Sequence, residues 1–401
     1  MLSAIAARLG IHPTILLMAS AHTMVDGYGN IFAPLLPLLI PRLGLSLAAA
    51  GTLTMLFQLA ASVAQIGFGR LADVWQPRVL VMGGPLVAVS LLSLIGLAPT
   101  PVVLAAILVC GGLGAAAFHP PAAMLAHRLG GERPGFAMSV YITGGTLGFS
   151  FGPLMFAPFA QRFGLEWTPL LALPGLLVVA LFLRRVPPIP VHRSADGGLA
   201  ALRPYARPLA LLYTIVVLRT LTALSFATFV PVMLTRRGLT VSEAGSAVAV
   251  YLFASGIGGF FGGPAADRFG ARRVIGLSLL LAAPFLVVAP MTSGWVFLAL
   301  MAVGGLFLQS TLPVNVTYGQ TLAPVSAGTV SSIMMGFGWG TGGLSVPFVG
   351  MVADRVGLEI TLAGLACAPV VAAACSVFLP DYRVPAVSAR PADLVAPEAG
   401  P

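Results

Sequence analysis

Long apolar runs follow one another along this chain with too little charge between them for a water-soluble core. Of 401 residues, 58% are hydrophobic and 8% charged, where a soluble domain carries about 25% charged residues. A spanning helix needs about 20 apolar residues. Twelve runs of that order are read at 14–40, 47–69, 77–96, 101–126, 137–161, 168–184, 208–234, 242–266, 272–290, 295–320, 327–352 and 358–379. Only helices or closed barrels satisfy their backbone in lipid, and runs of this length read as helices. The residues before the first run, Met1–Gly10, do not form a cleavable leader pattern.

All 21 basic residues are arginine. With the N-terminus inside, fifteen fall in inner loops and tails, and five (Arg42, Arg162, Arg236, Arg237 and Arg355) in outer loops. Arg219 is left inside a run. By the positive-inside rule both termini are then cytoplasmic. The net charge of +9 therefore reads as a topology signal, and no nucleic-acid partner is expected. Cys110, Cys367 and Cys375 lie in apolar runs without metal-ligand spacing, and are read as small buried hydrophobes. No cofactor, metal site or enzyme constellation is expected.

The two halves repeat. At an offset of 194 residues, Pro37, Arg42, Gly44, Leu45 and Ser46 meet Pro231, Arg236, Gly238, Leu239 and Thr240. Ala50-Gly51 meets Ala244-Gly245, Gly69 and Asp73 meet Gly263 and Asp267, and Gly144 and Gly148 meet Gly338 and Gly342. The expected domains are a six-helix bundle over 1–184, a cytoplasmic linker over 185–207, a second six-helix bundle over 208–380 and a polar, disordered tail over 381–401. The fold class is all-α membrane protein, two pseudo-symmetric bundles with a substrate site between them.

Two loops are read as a cytoplasmic gate, with an ordinary positive-inside loop as the alternative: Gly69 to Asp73 after the second run, and Gly263, Asp267, Arg268 and Arg272 after the eighth. Both resemble the major facilitator signature of Gly-x-x-x-Asp followed by basic residues, although Val74-Trp75-Gln76-Pro77 replaces the usual Arg-x-Gly-Arg in the first copy. The glycines would allow close helix approach, and the acids would pair with Arg or cap a neighbouring helix. Residues 144–153, GGTLGFSFGP, resemble the glycine-rich fifth helix of the antiporter branch. Together with His22 to Asp26, Phe118-His119-Pro120, Gly342-Gly343 and Phe378-Leu379-Pro380-Asp381, they resemble the fosmidomycin-resistance family of drug exporters over about residues 14–383. The resemblance implies proton-driven export from the bacterial cytoplasm. Two positions depart from it: Val25, where the family has Asn, and Pro121, where it has an acid.

Ionisable groups inside spans are expensive and mark transport paths. Asp26 is the carboxylate clearly inside a run, with His22 one helical turn before it on the same face. The offset of 194 places Asp26 opposite Thr220, beside Arg219. Asp26 and Arg219 are therefore expected to face one another or to share a wet cavity. Asp26 and His22 are read as proton-coupling residues. Arg219, His119, Tyr28, Gln58, Gln309, Asn315 and Tyr318 are read as substrate-binding candidates. A static ion pair, a packing histidine, and polar side chains satisfying backbone freed by Pro313 are the structural alternatives. The expected function is a proton-coupled exporter of a small anionic compound or drug, acting as a monomer in the bacterial inner membrane with protons, substrate and lipid as partners. An importer of an organic anion and a non-transporting receptor on the same scaffold are the alternatives.

Overall fold

A computed structural model describes residues 6, 11–129, 134–184, 199–323 and 326–380, which are helices and short connections, with no strand among them. The helices are α1 (Pro13–Leu43), α2 (Leu47–Ala72), α3 (Pro77–Leu97), α4 (Pro101–Ala126), α5 (Ala137–Phe163), α6 (Leu165–Phe182), α7 (Leu202–Arg236), α8 (Val241–Phe269), α9 (Ala271–Met291) and α10 (Gly294–Leu322). Next comes α11, built of the pieces Ala327–Ser332, Ile333–Phe337, Gly338–Leu344 and Val346–Val356, and then α12 (Leu358–Ser376). Eleven of them are long and apolar enough to cross a membrane. The expected span at 327–352 is present but segmented, with a π-turn at Ile333–Phe337 and a break at Ser345. Its glycines at 336, 338, 340, 342 and 343 weaken one continuous ladder.

The internal repeat is visible in the helix ends. Gly44 closes α1 at φ 61° in the left-handed region, and Ser46 caps α2 by accepting from Ala49 N at 3.1 Å. At the matching place Gly238 has φ 92°, and Thr240 opens α8 with a full capping box to Glu243. Outward faces are apolar: Leu173, Leu177, Phe260, Phe261 and Trp295 are exposed, as lipid-facing side chains are.

The bundles meet at the end that carries the 44–46 and 238–240 turns. Asp354, at the end of α11, accepts from Leu47 N and Ala48 N of α2, both at 3.0 Å. Gln161, at the end of α5, accepts from Ser242 N of α8 at 2.7 Å. The two contacts are counterparts in sequence: Ala160-Gln161-Arg162-Phe163-Gly164 and Ala353-Asp354-Arg355-Val356-Gly357. Each puts an acceptor on the orphan N–H groups of a helix in the other bundle. Close approach here falls to Gly51, where a Cβ would lie 2.7 Å from Val346 O, and to Gly350 against Leu47.

Several expectations need correcting. The linker read over 185–207 is helical from Leu199, because Leu199–Tyr205 leads directly into α7; residues 185–198 and the tail 381–401 lie outside the described residues. Cys110 and Cys367 are exposed rather than buried, since an apolar span offers them lipid as well as core. The gate residues at the other end have the following surroundings. Asp267 and Arg268 are exposed, and Asp267 makes no ion pair among the described residues. The Arg268 guanidinium lies 5.3 Å over Phe269, and Arg272 donates to Val377 O. A Cβ on Gly263 would meet nothing within 4 Å, and one on Gly69 would make only ordinary contact with Pro120. The side chain of Asp73 lies outside the described residues.

Candidate functional site

Three glycines one turn apart on α5 press its backbone onto α1. Gly144, Gly148 and Gly152 lie against Ala19, Thr23 and Gly27, and Thr23 Oγ1 donates to Gly144 O at 2.9 Å. This seam places Gly145 at the Asp26 carboxylate. A Cβ at 145 would stand 2.6 Å from both Asp26 Oδ2 and His22 Nε2, so the site exists only while residue 145 lacks a side chain.

Around that carboxylate two histidines close. His22 Nε2 lies 3.2 Å from Asp26 Oδ2, and His119 Nε2, from α4, lies 3.0 Å from Oδ1. The other ring nitrogens face backbone carbonyls: His22 Nδ1 to Tyr141 O at 2.9 Å, and His119 Nδ1 to Ala115 O at 2.7 Å. The His22 ring also stacks on Tyr141 at 4.3 Å. His22 and Asp26 are buried, while the His119 side chain is 22% exposed and gives the cluster its opening. Among the described residues these three form the group able to share a metal ion, their ligand atoms lying within 4.8 Å of one another. The histidines address different carboxylate oxygens, however. That is a clamped carboxylate rather than three ligands converging on one centre.

Arg219, on α7, has a different setting. It is fully buried. Its Nη1 donates to Gln309 Oε1 of α10 at 2.5 Å, its Nη2 to Thr220 Oγ1 at 2.9 Å, and its Nε has no hydrogen-bond partner. The guanidinium lies 5.6 Å from the ring of Trp339 on α11, which stacks across the bundle seam on Phe149 of α5 at 6.5 Å and 20°. Its partners are thus neutral. The expected face-to-face arrangement with Asp26 is not formed: the ion pairs among the described residues are His22–Asp26, His119–Asp26 and Arg237–Glu359. Both oxygens of Asp26 are already taken within its own bundle.

The remaining candidates divide. Gln309 holds Arg219. Asn315, 1% exposed on α10, leaves both amide atoms without a partner. Gln58 packs at the α2–α11 seam, its Cβ 3.0 Å from the place a Cβ on Gly343 would take. Tyr28 and Tyr318 are fully buried and their hydroxyls are spent on structure, Tyr28 on Leu171 O and Gly175 N of α6, and Tyr318 on Pro380 O. Trp339, Phe149, Tyr141 and Gly145 were not singled out from sequence. Aromatics in apolar runs carry no local signal, although the glycine motif did contain Gly145.

Two pseudo-equivalent helical bundles, joined through capped helix ends and enclosing an acid and a base, define a multi-pass membrane transporter and not an enzyme. The chain belongs to the Major Facilitator Superfamily, which it matches over residues 16–240 and 212–397. It is 30% identical over 378 residues to the fosmidomycin resistance protein of Escherichia coli (strain K12), covering 90% of this chain and 91% of that one. It is 29% identical over 385 residues to the uncharacterized MFS-type transporter YfnC of Bacillus subtilis (strain 168), with the same coverage. Among solved structures it resembles an inward-facing, unoccupied bacterial homolog of the human lysosomal transporter Spinster (TM-score 0.75, 19% identity, 91% of this chain and 96% of that chain). It also resembles the nucleoside transporter NupG (TM-score 0.76, 14% identity, 91% and 99%).

Proposed function

We propose that the protein is a proton-coupled exporter of a small compound bearing an anionic group and hydrogen-bond donors. The observation that carries this reading is the buried Arg219 guanidinium, which has neutral partners only and an unsatisfied Nε. A buried charge without a counter-charge is strongly destabilising, and a carboxylate, phosphate or phosphonate on a substrate supplies the missing anion in the geometry a guanidinium prefers. Asp26 and its histidines supply the second half of the cycle. Protonated, the cluster satisfies itself and offers a substrate nothing. Deprotonated, it presents three acceptors to the hydroxyl, amide or ammonium donors of a substrate held by Arg219. Protons and substrate then exclude one another, which is the requirement for exchange.

Direction rests on two supports. The 144–153 glycines follow the antiporter pattern, and the Escherichia coli relative is named for resistance to fosmidomycin, which outward transport of a drug would give. The arginine distribution supports both termini being cytoplasmic, and the bacterial relatives support an inner-membrane location. In that orientation the Asp354 and Gln161 caps close the outer end. Asp73 and Asp267 are their inner counterparts and close the cytoplasmic end in the alternate state.

Proteoliposomes with an imposed pH gradient test this reading, with fosmidomycin as the first solute. Wild-type protein should move solute toward the acidic side. Arg219→Gln should lower movement by about 100-fold, and Asp26→Asn should leave exchange that no longer follows the gradient. Gradient-driven movement by both variants at the wild-type rate would overturn the proposal.

A further inference from the structure

The hydrogen positions in the Asp26 cluster can be counted. A backbone carbonyl only accepts, so His22 Nδ1, facing Tyr141 O at 2.9 Å, and His119 Nδ1, facing Ala115 O at 2.7 Å, both carry hydrogen. A neutral imidazole has one N–H. If both rings were neutral, each Nε2 would present a lone pair to a carboxylate oxygen, at 3.2 Å and 3.0 Å. Acceptor would then face acceptor in both contacts, at separations too short to admit a bridging water between the two atoms. Each contact therefore needs its own proton, on Nε2 or on the carboxyl oxygen. The count is two wherever they reside.

We propose that His22, Asp26 and His119 form a two-proton site, seen here in its loaded state, and that both protons leave together when substrate donors take their place. This inference rests on the proton-coupled reading above and adds the stoichiometry and the role of His119. The geometry supports joint release. Both contacts share one carboxylate, so losing one proton leaves an acceptor pair in place and weakens the whole clamp. His119 is the more exposed member and stands on a different helix from the other two, which makes it the element that can swing away. The loaded cluster carries one net positive charge and the emptied cluster one net negative charge. Among the described residues the further titratable group facing it is Tyr141 of α5, whose ring stacks on His22 and whose hydroxyl has no hydrogen-bond partner. Among the described residues no group from the second bundle pairs with Asp26. In export of a monoanion, two entering protons and one leaving anion move three positive charges inward, against two charges for a single proton.

Two measurements on the full-length protein in detergent test the count. In the first, histidines are labelled with nitrogen-15 and read by nuclear magnetic resonance at neutral pH. His22 and His119, assigned from His22→Gln and His119→Gln, should each show protonated Nδ1 with a proton on, or shared by, Nε2. A bare Nε2 on either ring, with Asp26 ionised, overturns the inference. In the second, potentiometric titration compares wild type with the His22→Gln/Asp26→Asn/His119→Gln variant. Wild type should give up two more protons than the variant in a single transition that fosmidomycin shifts. One extra proton overturns the two-proton count while leaving proton coupling through Asp26 intact. Two extra protons with flux indifferent to a pH gradient would keep the site and overturn the transport reading. Cobalt(II) binding stoichiometrically with a visible ligand-field band, and displacing protons at micromolar concentration, would show a metal site instead and overturn the inference.

Discussion

The two embedded charges sit at pseudo-equivalent places in the two bundles and are treated in opposite ways. Asp26 has both oxygens engaged by histidines of its own bundle, one from α1 and one from α4. Arg219 has a glutamine, a threonine and an aromatic face, and part of its hydrogen-bonding capacity is unused. A duplicated scaffold has thus divided its labour. The first half can satisfy its own charge with protons, and the second half lacks a counter-charge. Uncompensated buried charge is tolerated where function needs it, and the unequal treatment is what the proposed division into a proton site and an anion site rests on.

The sharpest way to break this comparison is Arg219→Gln. It should lower solute flux by ~100-fold, in line with the roughly 1.5–3 kcal/mol of a hydrogen bond to a charged group. The fold should hold, because removing an unpaired charge leaves no opposite charge stranded. Flux and the detergent melting temperature, measured together, check both halves. A large loss of stability with unchanged flux would make Arg219 a scaffold residue. Asp26→Asn should be the complement. Solute exchange should persist at about one-tenth of wild type or better, while its response to a pH gradient disappears. Counterflow assays at several pH values would reveal it.

A smaller effect is expected at Gly145→Ala, where the new Cβ would enter the space 2.6 Å from Asp26 Oδ2 and His22 Nε2. Overpacking of this kind costs about 1–3 kcal/mol, and it should disturb coupling before binding. Gly263→Ala is the control, since a Cβ there meets nothing within 4 Å; its melting temperature should match wild type. The smallest change is in the caps. Asp354→Asn keeps a hydrogen-bond acceptor but loses the charge at the α2 N-terminus, worth about 0.3–1 kcal/mol. Spin-label distances across the 44–46 end should shift toward the open population by a few-fold at most, while Asp267→Asn should shift the population in the opposite sense. Equal shifts from both would deny that the two ends alternate.

Much of the architecture was legible because its causes are local. The Ser46 and Thr240 caps, the Gly44 and Gly238 turns and the apolar run lengths act within a few residues of where they are written. Segmentation of α11 was half legible: its glycines are in plain view, but whether they kink a span or merely pack it depends on what lies across the seam. The caps by Gln161 and Asp354 repeat the Ala-(Asp/Gln)-Arg-x-Gly pattern of 266–270, yet the helix N-termini they meet in the other bundle are written in no local pattern. Which end of the molecule is closed is not a property of any short stretch.

From the sequence alone come the solvent, the approximate number of spans, the duplication and the presence of one acid and one base deep inside runs, where none is expected. These follow from composition and from short-range backbone chemistry. The tertiary structure decided the partners. His119 lies 93 positions from Asp26 along the chain, and it reaches the carboxylate only because α4 and α5 pack on α1 with a glycine at 145. Trp339 meets Arg219 through a segmented helix of the same bundle. Such contacts depend on how whole helices pack, a cooperative outcome that no local pattern encodes, and they give Asp26 and Arg219 different partners in place of a direct pair.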